Sequence, residues 1–381
     1  MAERVGGKIL FGGGILASAM VTLMIPVAAR LTVDMLIALR VLQGIVEGVT
    51  FPSMHALLSR WIPPLERSRA VTFIYAGVQL GTVIAMPLSG VLCDHGFAGG
   101  WPSAFYVFGA AGCMWAFAWF LLCHNSPSVH PRISLDELLY IETAIESSGI
   151  TAKPPVPWIR IATSLPFWAC ALAHFSFNWG YYTLLTCLPK YMHDVLHFDM
   201  TQNGILSGMP YFAAWLLMIG AGQLADWLRA PNRLQTGTVR KLFCASGLLI
   251  PGVLLVAVGF LGGNRILIVC AVILAVGFSA PAWSGFGANH LDLAPVYAGT
   301  LMGLTNTLAT IPGILGPQVV GALTYQSTRA QWQKVFYITT AVYGFGAAVF
   351  VVFGSGKLQE WAVLPQSATS DRHNEEVERN I

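Results

Sequence analysis

Apolar residues in this chain gather into long stretches with little between them. Ten of these stretches run 8–29, 33–58, 69–93, 104–123, 166–188, 203–225, 240–261, 265–287, 296–323 and 333–354. A helix that crosses a bilayer takes about 20 mostly apolar residues, so each is a candidate span. Pro87, Pro281, Pro312 and Pro317 fall inside them. A membrane helix tolerates such breaks where neighbours or water satisfy the freed backbone. The pattern predicts an all-α membrane protein.

One polar segment is much longer than the rest and divides the chain. Residues 1–123 hold four spans, 124–165 form a linker, 166–355 hold six spans, and 356–381 form a polar tail expected to be disordered. Within the linker, Ser134-Leu135-Asp136-Glu137 has the form of a helix N-cap followed by early acids. It predicts a short amphipathic helix over 134–147, lying on the cytosolic surface.

Lysines and arginines set the orientation. With a cytosolic N-terminus, fifteen fall on the cytosolic side and five on the other. Ten spans then leave both termini in the cytosol. Hydrophobic residues make up 55% of the chain and charged residues 10%, with mean hydropathy +0.63. A soluble domain carries about 25% charged residues. The net charge of +3 gives no reason to expect a nucleic-acid partner. The seven cysteines form no CxxC pair and read as free thiols. No HExxH, GxSxG or P-loop is present, so neither an enzyme nor a metal or cofactor site is expected. Charged residues before the first apolar stretch argue against a cleavable signal peptide.

Against this background Glu47 stands out, near the middle of the second stretch. Burying a charge at bilayer depth costs about 2.5–3.5 kcal/mol on insertion scales. On a continuous helix Arg40 lies within about 20° of it, and His55 within about 80°. Glu47 is expected to bind a proton that couples to transport, or else to form a structural ion pair. Arg40 is expected to grip a substrate carboxylate, or to snorkel to the surface. His55 suits a proton relay or a structural hydrogen bond. Gly44 and Gly48 suggest close helix packing on the Glu47 face. His174, Asn178 and Tyr181 share a face by i, i+4, i+7 spacing and, with Tyr182, read as cavity lining or core polar groups. Asn289, His290, Asn306 and Thr310 are weaker candidates of the same kind. Asp292 and Glu66 sit at cytosolic helix ends, where pairing with nearby arginines is expected.

Several motifs carry more specific information. Gly222-Gln223-Leu224-Ala225-Asp226-Trp227-Leu228-Arg229 lies between two spans, and Glu3-Arg4-Val5-Gly6-Gly7-Lys8 resembles the end of a matching loop. Longer strings are Arg40 to Pro52, Pro63 to Arg69, Ser284 to Pro295 and Gly303 to Thr307. Together they resemble the anion:cation symporter family of the major facilitator superfamily, which includes the sialin, vesicular glutamate and sodium–phosphate branches. Ala173-His174-Phe175-Ser176-Phe177-Asn178-Trp179 is most similar to the sialin branch; the glutamate branch carries an arginine in place of Phe177.

The resemblance implies a twelve-helix bundle of which ten helices are present, the first two and an anion-contacting arginine on the first being absent. It implies alternating-access transport of small organic anions, either acidic sugars such as sialic acid or acidic amino acids. Coupling to protons is expected, with Na⁺ as the alternative ion. Sodium-dependent phosphate transport, vesicular glutamate transport and a truncated inactive form are the alternatives. It further implies that Glu66, Arg67, Arg69, Asp226, Arg229 and Asp292 gate the cytosolic side, with Arg240 and Lys241 nearby. A monomer in a lysosomal, vesicular or plasma membrane is expected.

Overall fold

The computed structural model describes residues 6–146, 155–198, 200–230, 233–261 and 264–362. Glu3, Arg4, Val5, Lys153 and the tail from Val363 lie outside these residues. Among the described residues the protein consists of helices and turns, without strands.

The four N-terminal stretches form five helices: α1 (Gly7–Leu31), α2 (Val33–Glu47), α3 (Thr50–Trp61), α4 (Arg67–His95) and α5 (Pro102–Leu122). The linker contains α6 (Leu135–Glu146), capped as the sequence suggests, with the Glu137 amide donating to Ser134 Oγ at 3.2 Å. It also holds a short helix that the pattern did not suggest, α7 (Trp158–Ala162). The later half comprises α8 (Leu165–Asp194), α9 (Met200–Leu228), α10 (Thr236–Val258), α11 (Arg265–Ser279), α12 (Ala288–Leu293), α13 (Ala298–Leu323) and α14 (Arg329–Phe353). Among the described residues, seven helical segments are long and apolar enough to cross a membrane. The other three stretches form α8, α9 and α13, of 30, 29 and 26 residues.

Two stretches expected as single helices are broken. The second breaks between α2 and α3, at Gly48 and Val49. Pro52 cannot donate a backbone hydrogen bond to the Gly48 carbonyl, and its ring crowds that position. Gly48 and Val49 keep helical dihedrals, and the roughly 80° between Glu47 and His55 is enough to set Glu47 against Ser18 of α1 and His55 against Gly287 and Tyr75. The eighth stretch ends α11 at Ser279, just before Pro281, and continues through a single wide turn, Trp283–Gly287, into α12.

The two halves meet where α4 packs on α9. Gly222 lies so close to Thr72 and Ser68 that a Cβ there would collide with them. This gives the motif glycine a packing reason: the helix backbones touch. Gly44 and Gly48 behave differently from expectation. A Cβ on Gly44 would meet nothing within 4 Å, and one on Gly48 only its own helix carbonyls. They pack against no described helix, because α2 carries no buried residue at all. The later half is more tightly enclosed, with 17 buried residues on α8 alone.

Candidate transport site and gate

A small cavity lies between the halves. Phe51, Tyr75, Val78 and Gln79 line it from α3 and α4; His174, Phe177, Asn178, Tyr181, Tyr182, Trp283 and Asn306 line it from the later half. It encloses about 60 Å³, against roughly 300–1,000 Å³ for a typical small-molecule pocket. It has room for water and none for a sugar acid. Phe51 stacks on Tyr75 at 5.4 Å between ring centroids, and Tyr75 stacks on Trp283 at 3.9 Å. This column of rings runs from one half into the other and narrows the chamber.

Beneath the rings three buried histidines gather. His55 Nε2 lies 3.3 Å from the Gly287 carbonyl, and its Nδ1 lies 3.3 Å from the Tyr75 hydroxyl. One tautomer satisfies both, with Nε2–H donating to the carbonyl and Nδ1 accepting from Tyr75. Thr305 Oγ1 sits 2.7 Å from His290 Nε2 and 3.3 Å from His174 Nδ1, joining the two rings. His55 and His290 approach to 5.5 Å between centroids across the interface. Asn178 Nδ2 donates to the Ala309 carbonyl at 2.8 Å. Gln79 Oε1 is buried without a partner among the described residues, the condition in which an incoming donor gains most.

Other expected site residues lie elsewhere. Glu47 is on the exposed face of α2, where it accepts from Ser18 Oγ at 2.6 Å and Gln43 Nε2 at 3.0 Å. Arg40 donates to Gln43 Oε1 at 3.2 Å, so the amide bridges the two charges. Arg40 also lies over the Phe105 ring, 5.7 Å from its centroid, and lines a groove separate from the central cavity. Asn289 donates to the Ser355 carbonyl at 2.7 Å, and Thr310 Oγ1 donates to the Asn306 carbonyl at 2.8 Å. Tyr75, Gln79, Trp283 and Thr305 were missed as site residues. The signal for Gln79 was available: an uncharged polar residue at the centre of an apolar stretch. Thr305 lay inside a quoted motif without being singled out.

One end of the interface is locked by charge. Asp292 Oδ2 takes a hydrogen bond from Arg240 Nε at 2.6 Å, while its Oδ1 lies 3.6 Å from Arg67 and 3.8 Å from Arg229. Arg240 also donates to Ser68 Oγ at 2.6 Å and the Ser284 carbonyl at 2.7 Å. Arg67 reaches across to the Leu291 carbonyl at 2.9 Å, and Arg229 to the Pro64 carbonyl at 2.9 Å. Burial, and then the like charge of Arg240, push the Arg229 guanidinium below its ordinary value, while Asp292 and Asp226 oppose them. Asp226, on α9, accepts the backbone amides of Ser68 at 3.2 Å and Arg69 at 2.6 Å. These belong to the first turn of α4, whose amides have no partner within their own helix. A carboxylate of one half thus caps a helix of the other, where the positive end of the helix dipole favours it. Outside the lock, Glu66 pairs with Arg69 at 2.9 Å and accepts from the Tyr140 hydroxyl of α6 at 3.1 Å.

Two helical halves around a central chamber, shut at one end by an ion pair and hydrogen bonds between the halves, make the architecture of an alternating-access carrier. The Major Facilitator Superfamily model matches residues 1–317. Human sialin is 47% identical over 95% of this chain and 72% of its own length. A putative inorganic phosphate cotransporter of Drosophila ananassae is 41% identical over 95% of the chain and 76% of its own length. Vesicular glutamate transporter 3 of Danio rerio is 42% identical over 95% of the chain and 61% of its own length. Among solved structures, the proton:xylose symporter XylE superposes with a TM-score of 0.68 at 12% identity, covering 95% of this chain and 85% of that one. The human organic anion transporter MFSD10 superposes with a TM-score of 0.64 at 16% identity, covering 91% and 80%. The chain belongs to the major facilitator superfamily, and within it to the family that contains sialin and the phosphate and vesicular glutamate transporters. It is a multi-pass membrane protein of a transporter family.

Proposed function

We propose that the protein carries small organic anions across a membrane by alternating access, coupled to protons. Acidic sugars such as sialic acid, or acidic amino acids, are the cargo. The observation that carries this reading is the chamber between the halves, closed at one end by the Arg67–Asp292 ion pair and by the Asp226 cap on α4, both of which reach from one half to the other. The 47% identity to sialin supports the choice of cargo. So does the lining, where the amides of Gln79, Asn178 and Asn306 and the hydroxyls of Tyr75, Tyr181 and Tyr182 suit a polyhydroxylated molecule better than inorganic phosphate.

In this mechanism the anion enters while the Asp292 lock is closed and the opposite end is open. Separation of the rings of Tyr75 and Trp283 widens the chamber to admit it. Glu47 takes or releases a proton, and His55 relays protons at the interface. Arg40, in its own groove, acts on the approach of the anion. Breaking the contacts of Asp292 and Asp226 between the halves, and of Glu66 with α6, then opens the side bearing the arginine-rich loops, which is the cytosolic side and carries both termini. The carrier works as a monomer in a lysosomal, vesicular or plasma membrane.

The test is reconstitution in liposomes with labelled sialate, glutamate and phosphate, each under a proton or a sodium gradient. Saturable sialate or glutamate uptake driven by the proton gradient supports the reading. Uptake of phosphate driven by sodium replaces it with the phosphate branch. Uptake of none of the three points to a form that binds a partner without transporting.

A further inference from the structure

A second, larger cavity lies wholly within the N-terminal half and takes no part in the mechanism above. It encloses about 550 Å³ between α1, α3, α4 and α5 and the segment that follows α5. Phe11, Met54, Ile74, Trp61, Trp115 and Trp119 give it an apolar interior. Trp115 and Trp119 stack at 5.1 Å, and Phe11 leans on Trp119 at 4.9 Å, forming an aromatic wall. The indole N–H groups of Trp119 and Trp61 are already taken by the carbonyls of Lys8 and His124, at 3.0 and 3.2 Å. Neither indole therefore needs a polar ligand, and both offer ring faces to the cavity.

The polar groups collect at one end. His124 and His130 line the cavity with their rings 4.8 Å apart, and His124 Nδ1 is buried with no partner among the described residues. Of the lining residues, Leu122 is 68% and Trp115 41% exposed, so the cavity reaches an apolar outer surface of the helices, which in a bilayer faces hydrocarbon. A ligand that enters from hydrocarbon, fills an apolar chamber and ends against two imidazoles is an amphiphile whose head accepts hydrogen bonds, as a carboxylate does.

We infer that this cavity binds a single-chain anionic amphiphile, of the fatty-acid class, drawn from the membrane leaflet on the arginine-rich side. The chain lies against Trp115, Trp119 and Phe11, and the carboxylate accepts hydrogen bonds at His124 and His130. Because every lining residue belongs to α1 through α5 or the segment just beyond them, the ligand is bound by one half alone.

Bromine quenches indole fluorescence on contact, and three tryptophans line the cavity. The test titrates 9,10-dibromostearate into the whole chain in nanodiscs and follows tryptophan emission. Saturable quenching is expected, reversed by unbrominated oleate and weakened at least tenfold in Ile74→Phe and in Met54→Phe, which fill the chamber without adding an indole. Trp115→Phe with Trp119→Phe should remove most of the saturable part. His124→Ala should weaken dibromostearate several-fold and leave the matching dibromo-alcohol unchanged; equal binding of acid and alcohol by the unaltered chain overturns the anionic head. Quenching that rises linearly and is unaffected by Ile74→Phe and Met54→Phe reports only bulk lipid around the tryptophans and overturns the site.

Discussion

Helices α2 and α8 both carry polar side chains in the middle of long apolar stretches, but they satisfy them in opposite ways. The Arg40–Gln43–Glu47 row on α2 finds its partners on its own helix and on Ser18 and Thr22 of the adjacent α1. No residue of α2 is buried. On α8, His174 and Asn178 are enclosed and bonded to Thr305 and Ala309 of α13. The first network can change charge without disturbing the packing between helices. The second is part of that packing. In the proposed mechanism the α2 row carries the proton, while the α8 row holds the shape of the chamber.

The sharpest test of this contrast lies at the lock, where both halves depend on one carboxylate. Asp292→Ala leaves Arg67, Arg229 and Arg240 buried around an absent counter-charge, and removing one partner of a buried pair costs about 3–5 kcal/mol. The closed state should lose most of its population. Labelling of a single cysteine near Ser68 by a membrane-impermeant thiol reagent should rise by more than about 100-fold, and unchanged labelling would remove Asp292 from the lock. Next is Glu47→Gln. Its partners all sit in one half, so folding and lock labelling should stay as they are while the dependence of uptake on the proton gradient disappears. Uptake by this variant that still follows the gradient would assign coupling elsewhere.

Thr305→Val should act on the other network. It strips the shared hydroxyl from His174 and His290, leaving the buried His174 Nδ1 unpartnered among the described residues at about 1–3 kcal/mol, while His290 Nε2 keeps Cys170 Sγ at 3.5 Å. We expect a drop in thermal midpoint together with a raised KM, where Glu47→Gln changes neither. A Thr305→Ser variant, which keeps the hydroxyl, should restore both. Smallest of all is Tyr140→Phe, which removes one exposed hydrogen bond between α6 and Glu66. Its donation to Glu66, and the charge of Glu66, raise the Tyr140 phenol above its ordinary value. The contact is therefore complete below the ordinary phenol range and is lost only as pH climbs through the raised value. The substitution should leave the thermal midpoint nearly unchanged at neutral pH, and a large drop would mean that α6 supports the fold.

The arrangement of helices was legible because a bilayer demands length and apolarity, and each of the ten stretches is helical. The capped start of α6 was legible because Ser134 and the acids behind it satisfy a local rule. The break at Gly48 was less legible: Pro52 removes the hydrogen bond to the Gly48 carbonyl, but a proline inside a helix can either kink it or end it. His55 lies in the interface and Glu47 against α1, a division that about 80° of helix rotation allows. The pairing of Asp292 with arginines was expected from its place at a helix end, but the choice of three particular guanidinia depended on α4, α10 and α12 meeting, and sequence spacing cannot supply that. The column of Phe51, Tyr75 and Trp283 was invisible for the same reason, since stacked rings from three segments leave no periodic trace.

The capping of α4 by Asp226 also bears on how fast the carrier can turn over. When the halves part at that end, the amides of Ser68 and Arg69 lose the Asp226 carboxylate and, in the first turn, have no carbonyl of their own helix to fall back on. Solvent must replace the carboxylate during opening and must be squeezed out again on return. Every cycle then includes the wetting and drying of a helix end, and the rate of rocking is tied to the activity of water on that side of the membrane.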